Sequence, residues 1–224
     1  MTHRTPIIIV GAAGHGSVIA DLIQRNSEYR LVGFVDSQKP AGTAVLGTPV
    51  LGDENSLHDL RRHHDVGGLC LGVGDNWLRG QLAQRVAGLN LGIPFATVVH
   101  PSAQIALSAR LGRGVVVMAG AVVGCNAEVG DFCIVNTKAS LDHDGRMQPH
   151  SSLGPGATVG GAVEIGAYTA VGIGAVVREK VRIGDNTVIG AGAVVLRHIP
   201  DRVIAFGCPA RVIRPRAASD PYLR

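Results

Sequence analysis

Starting at Ile105, every sixth residue of this chain is aliphatic for sixteen consecutive positions: Ile105, Leu111, Val117, Val123, Val129, Val135, Leu141, Met147, Leu153, Val159, Ile165, Val171, Val177, Ile183, Ile189 and Val195. Roughly one residue in three would qualify at any position in an average chain, so chance does not produce the series. The residue two before each aliphatic is usually small, as at Ala121, Ala139, Ala157 and Ala175. The residue after it is often Gly, as at Gly124, Gly154, Gly166 and Gly172. A fixed hexad predicts a parallel β-helix. Each hexad is one short strand plus a turn, and three hexads close one triangular coil. The aliphatic points inward onto its equivalent one coil away, contributing roughly 1.5–3 kcal/mol when fully buried. The small residue leaves room at the corner, and the Gly is expected to supply turn dihedrals that a Cβ would strain.

Before His100-Pro101 the period is different. Ile7 to Val10 is a short aliphatic run ending in Gly11-Ala12-Ala13-Gly14-His15-Gly16, and Val18, Ile19, Leu22 and Ile23 then recur at helical spacing. Strands are predicted at 31–35, ending at Asp36, at 68–73 and at 94–99, with helices at 56–63 and 76–88 and a polar loop between Asp36 and Ser56. Strand–helix alternation argues for a parallel sheet with crossover helices. The expected organisation is an α/β Rossmann-like domain over residues 1–98, followed over 99–224 by an all-β parallel β-helix with a C-terminal tail.

The composition suits this architecture: 46% of the 224 residues are hydrophobic, only 4% are aromatic, and 31 are Gly. A net charge of +4 is compatible with phosphorylated partners, but no Lys/Arg run interleaved with aromatics appears, so nucleic acid is not expected. Arg197, Arg202, Arg211, Arg214 and Arg216 form either a solvated tail or a phosphate-binding rim. Cys70, Cys125, Cys133 and Cys208 show no CxxC spacing. With no apolar signal segment at the start and no run long enough to span a bilayer, free thiols in the cytoplasm and no membrane association are expected.

The hexad array resembles the left-handed parallel β-helix of hexapeptide-repeat acyltransferases, and the left hand is what the resemblance implies. Phe206-Gly207-Cys208-Pro209-Ala210-Arg211 is similar to the G-x-P-A-[KR] closing motif of these enzymes. The Gly11–Gly16 loop is similar to the nucleotide-sugar-binding domain of one subgroup, which N-acetylates nucleotide-linked amino-dideoxy sugars and includes sialic acid O-acetyltransferase-like proteins. The resemblance implies acetyl-CoA as cosubstrate, a nucleotide-linked sugar as acceptor, a homotrimer, and surface glycan biosynthesis as the setting.

One hexad stretch is polar: Asn136-Thr137-Lys138-Ala139-Ser140-Leu141-Asp142-His143-Asp144-Gly145-Arg146-Met147. Polar side chains in a repeat built from Gly and Ala ask for a reason. The resemblance implies that His143 is the general base, suited by its pKa, with Asp144 supporting it where many relatives carry Glu. It further implies Gly11, Gly14, His15, Gly16, Asp36, Gly74, Asn76 and Asn136 as acceptor contacts. His150, Gly161, Ile173, Gly190, Pro209 and Arg211 become donor contacts, in a groove between neighbouring β-helices. The glycine loop reads G-x-x-G-x-G, not the dinucleotide G-x-G-x-x-G, although both would seat a phosphate at a helix N-terminus. No metal site is expected, since the three-histidine pattern of zinc-dependent β-helix enzymes is missing. Sugar O-acetylation, a non-catalytic nucleotide-sugar regulator and an NAD-linked protein are the competing readings.

Overall fold

The computed structural model describes residues 4–222. β1 (Thr5–Val10) leads into α1 (Gly14–Arg25) and β2 (Tyr29–Val35). The short β3 (Ala44–Val45) and β4 (Thr48–Gly52) follow, then α2 (Leu57–His64), β5 (Gly68–Leu71) and α3 (Asn76–Gly88). The sheet order is β3-β4-β2-β1-β5. β1 pairs in parallel with β2 and β5, and β4 in parallel with β2. β3 and β4 form an antiparallel hairpin inside the stretch expected to be a polar loop. Pro40, Gly42, Gly47 and Pro49 disguise it, and an edge hairpin tolerates proline where a central strand does not.

All sixteen hexads form two-residue strands that end on the aliphatic, from Gln104–Ile105 to Val194–Val195. Each strand pairs in parallel with the one eighteen residues away, for example Ser140–Leu141 with Val122–Val123 and Thr158–Val159. The inward column is sealed: Leu141, Leu153, Ile165, Ile183 and Ile189 are fully buried. The coil begins earlier than its hexad series. Val98–Val99 pairs with Val116–Val117, so the segment expected to close the N-terminal sheet divides: Phe95 bridges to Leu69 while Val98 is already the first rung of the coil.

The glycines following the aliphatics do not perform the expected task. The left-handed turn residue falls two positions later, and many positions there are not Gly: Asn126, Phe132, Lys138, Asp144 and His150 all have φ between 56° and 62°. The glycines are needed for close approach between coils instead. A Cβ on Gly154 would stand 2.9 Å from Gly172 C and Ile173 N.

The three faces of the prism differ outward. One, with Val98, Val116, Ile134, Ser152, Ala170 and Val188, is covered by the N-terminal part; Val98, Val116 and Ile134 share a core with Ile19 and Ile23 of α1. The second is neutral, with Gln104, Val122, Ser140, Thr158, Val176 and Val194. The third is a charge ladder in register, Arg110, Glu128, Arg146, Glu164 and Arg182. A hairpin of Val203–Gly207 and Ala210–Pro215 extends the covered sheet, and a tail returns across it.

Candidate functional site

The polar coil distributes its three marked residues over three corners. Asn136 follows the covered face, His143 the neutral face, and His150 the charged face. One protomer therefore holds them apart.

His143 and Asp144 occupy an exposed turn. His143 Nδ1 lies 2.8 Å from Asp144 Oδ2, and the His143 N–H donates to Asp142 Oδ1 at 2.7 Å. Asn126 Nδ2 donates to Asp144 Oδ1 at 3.3 Å. With Nδ1–H donating to the carboxylate, Nε2 carries the free lone pair. The bond to Asp144, reinforced by the nearby Asp142 charge, raises the imidazole pKa above its ordinary value. Asp144 is held below the usual carboxylate range, first by His143 and then by Asn126. Gly161, one coil on at the same corner, lies directly beneath the ring, and a Cβ there would collide with Nε2. Gly161 thus makes room for the His143 ring and is not among the residues lining the cavity of Ile173 and Gly190.

Those two line a cavity of about 480 Å³ between α1 and the covered face, together with Gly14, His15, Gly74 and Asn136. Six of the expected contact residues meet there. Asn136 stands in a column whose preceding member is Met118 and whose next three are Gly154, Gly172 and Gly190, so its side chain is the polar projection from that wall. Its Oδ1 accepts from Thr137 N at 2.8 Å. His15 is nearly buried, and its Nε2 finds no partner among the described residues. Burial, then the Arg79 charge, pushes its pKa down to about 4, so it faces the cavity wall as a neutral ring.

The remaining glycines of the loop serve packing. Gly16 and Gly72 both press on the Gly11 carbonyl, where a Cβ would collide, and Gly11 itself has φ +106°. Asp36 braces this loop: Oδ2 accepts from Ala12 N at 2.6 Å, and Oδ1 from Gln38 N and Lys39 N at 2.7 and 3.0 Å. Partial burial raises its carboxyl pKa, but the three N–H groups outweigh that and hold it low. Asp36 lines a separate open recess with Lys39 and Asp53.

One expectation is corrected, and the surroundings of His150 differ from those of His143. Asn76 is fully buried, and its side chain is spent inside the protein: Nδ2 donates to Thr169 O at 3.1 Å and Oδ1 accepts from Arg79 at 2.7 Å. It bolts α3 to the coil and has no surface for a ligand. His150 is clamped between Phe132 and Tyr168, with centroids 5.0 and 4.7 Å away and planes within 12° of parallel. Its Nδ1 is buried without a partner, and burial, then Arg79, takes its pKa down to about 4. It is a half-buried rung of an aromatic ladder, stacked on both faces. Pro209 and Arg211 sit at the turn and start of the second strand of the terminal hairpin, exposed and outside the cavity. Of the late arginines, Arg216 is buried and Arg214, exposed, pairs with Asp220 at 3.2 Å.

Sequence reasoning missed Arg79. It is 1% exposed and carries no carboxylate partner among the described residues. Its guanidinium donates to Phe132 O, Gly74 O and His150 O at 2.8–2.9 Å, as well as to Asn76. A buried cation without such bonds would be costly. The signal was present: Asn76, Arg79, Gly80 and Ala83 put a non-aliphatic stripe on one side of α3, and a Gly80 Cβ would strike the Tyr168 ring. Burial pushes the thiols of Cys70 and Cys133 to about 12 and 11, away from nucleophilic chemistry. Among the described residues no three metal-ligating side chains gather, and no helix is long and apolar enough to cross a membrane.

Comparison with known proteins matches this geometry. Residues 6–86 match the PglD N-terminal domain, and residues 162–197 the bacterial transferase hexapeptide family of six repeats. A variant of perosamine N-acetyltransferase from Caulobacter crescentus, solved with CoA and GDP-perosamine, superposes with a TM-score of 0.88 at 36% identity, covering 96% of this chain and 98% of that one. The acetyltransferase domain of PglB from Neisseria gonorrhoeae, solved with acetyl coenzyme A, gives 0.87 at 33%, covering 94% and 100%. UDP-N-acetylbacillosamine N-acetyltransferase of Bacillus subtilis is 40% identical over 116 residues, half of this chain and about half (51%) of that protein's length.

Proposed function

Because this chain belongs to the hexapeptide-repeat sugar acetyltransferases that carry a PglD-type N-terminal domain, we propose that it transfers an acetyl group from acetyl-CoA to the amino group of a nucleotide-linked amino-dideoxy sugar. The observation that carries this reading is the cavity that joins the Gly14-His15 loop to the Asn136, Ile173 and Gly190 corner. A nucleotide phosphate at the N-terminus of α1 would meet backbone N–H groups and the positive end of the helix. Ile173 and Gly190 would accompany the pantetheine.

In the transfer the neutral sugar amine attacks the thioester carbonyl. The N–C bond forms, His143 Nε2 accepts the ammonium proton, and as collapse breaks the C–S bond the imidazolium returns that proton to the departing thiolate, releasing coenzyme A as its thiol. Asp144 holds the ring in the tautomer that leaves Nε2 basic. His143 and the cavity lie at different corners of one prism, with the neutral face and its exposed Val122 and Val176 between them. A homotrimer would place the His143 of one protomer against the cavity of the next, and would cover that face. Acetyl-CoA as donor implies a cytoplasmic setting.

The test is thiol release from acetyl-CoA with a panel of UDP-, GDP-, dTDP- and CMP-linked amino sugars and their hydroxyl counterparts. Release with at least one amino sugar is expected. Release only with a hydroxyl counterpart would move the assignment to O-acetylation, and binding without release would make the protein a sensor.

A further inference from the structure

Beyond the terminal hairpin the chain would be expected to fray, as termini do. It is tied down instead. Arg216 N–H donates to Arg202 O at 2.8 Å, and its buried guanidinium reaches Asn186 O at 3.0 Å and the Asp220 carbonyl. Arg214 and Ala217 N–H both reach Asp220 Oδ2 at 3.2 Å, closing a tight loop. The Arg216 guanidinium then lies 5.7 Å over the ring of Tyr222. Two arginines and an aspartate are thus spent on holding six residues that end in one phenol.

That phenol enters the cavity wall. The N–H of Asn76, the first of α3 and without a helical partner, donates to Tyr222 Oη at 3.1 Å. The hydroxyl in turn meets Gly74 O at 3.5 Å. Gly74, Ser152 and Tyr222 line the same cavity as His15 and Asn136. Ser152 pairs with Ile134 on one side and Ala170 on the other, midway between the Asn136 end and the Ile173 end. The ring therefore closes the cavity where its two ends join.

The geometry points to Tyr222 as a specificity-determining residue: delivered by the C-terminal tail, it sets the shape of the wall against which the acceptor sugar is held. This rests on the acetyl-transfer reading above. A sugar bearing a bulkier substituent would meet the ring, and a ligand placed there relies on Tyr222 to keep Gly74 and the start of α3 in position.

The test is steady-state kinetics of Tyr222→Ala, Tyr222→Leu and Tyr222→Phe against the nucleotide sugar the wild type accepts best and against the rest of the panel. Tyr222→Ala should raise KM for that sugar roughly 10-fold and narrow the preference between acceptors, with KM for acetyl-CoA within about twofold. Tyr222→Phe should restore most of the discrimination if the ring sets it, and Tyr222→Leu should not. A merely structural tail would lower the amount of active protein and leave both KM values alone. Unchanged acceptor KM and unchanged preference in Tyr222→Ala overturn the inference; where that variant loses its cooperative melt, the same result in Tyr222→Leu does so. A wild type that acetylates nothing in the panel overturns the parent reading instead.

Discussion

His143 and His150 stand seven residues apart on one coil, at neighbouring corners, and share almost nothing else. His143 is open to solvent, its side chain 60% exposed, bonded to a carboxylate and raised in pKa. His150 is sandwiched by Phe132 and Tyr168, walled in by Arg79, and lowered to about 4. The same side chain is an exposed, carboxylate-bonded imidazole in one place and a neutral, stacked ring in the other. The difference teaches that the corner decides the chemistry. One corner meets only the turns of neighbouring coils, while the other is roofed by α3.

The sharpest break of this comparison is His143→Ala. Loss of a general base should lower kcat by roughly 10²–10⁴-fold. The thermal midpoint should hardly move, because the ring is exposed. His150→Ala should do the reverse, removing two ring contacts and costing about 1–3 kcal/mol of stability while kcat stays within a few-fold. Urea unfolding and initial rates on the same preparations read both. If His150→Ala abolished turnover in a folded protein, the assignment of the two histidines would be exchanged.

A smaller effect tests the stack through pH. The folded His150 resists a proton that the unfolded chain takes up near its ordinary pKa of about 6.5. Stability should therefore fall as pH drops from about 6.5 toward 4. Arg79 and Arg113 add to this, Asp131 opposes it, and His15 contributes with the same sign. His150→Phe should keep the ladder and flatten the decline of the melting temperature over that window. An equally steep decline would mean that His150 is not titrating.

The smallest expected change is in Asp144→Asn. Activity should rise with pH as His143 loses its proton, through a limb lying above the ordinary histidine range. Removing the carboxylate takes away the first cause of that elevation, so the limb of kcat against pH should move to lower pH. The kcat on the plateau should fall less than in His143→Ala, because tautomer and ring orientation weaken without the base being lost. An unmoved limb would assign the titration to another group.

Much of this was legible beforehand. The hexad series marked every rung from Ile105 to Val195, missing only the earlier one at Val98–Val99, and α3 was bounded correctly at 76–88. The polar turn at 142–144 singled out His143 and Asp144, and the glycine loop singled out Gly14 and His15. What was not legible is the side of the molecule on which each marked residue finishes. Asn76 looked like part of a substrate loop, yet it is saturated by Thr169 and Arg79, both far away in the chain. His150 looked like a companion of His143 because the two are close in sequence. Tyr222 carried no signal, since a tail of mixed polar residues shows no period.

The sequence by itself determined the coil, because a repeat is a local rule: each hexad needs only the hexad eighteen residues away, and inward and outward positions follow from a count of six. It determined equally that one turn would be charged and that a glycine loop would precede α1. The tertiary structure alone decided which polar residues are free to act. Burial, desolvation and saturation by carbonyls depend on what crosses each corner. At the covered face the crossing groups are Arg79 and Tyr222, brought from 71 residues before His150 and 146 residues after Asn76 by contacts that no local pattern encodes.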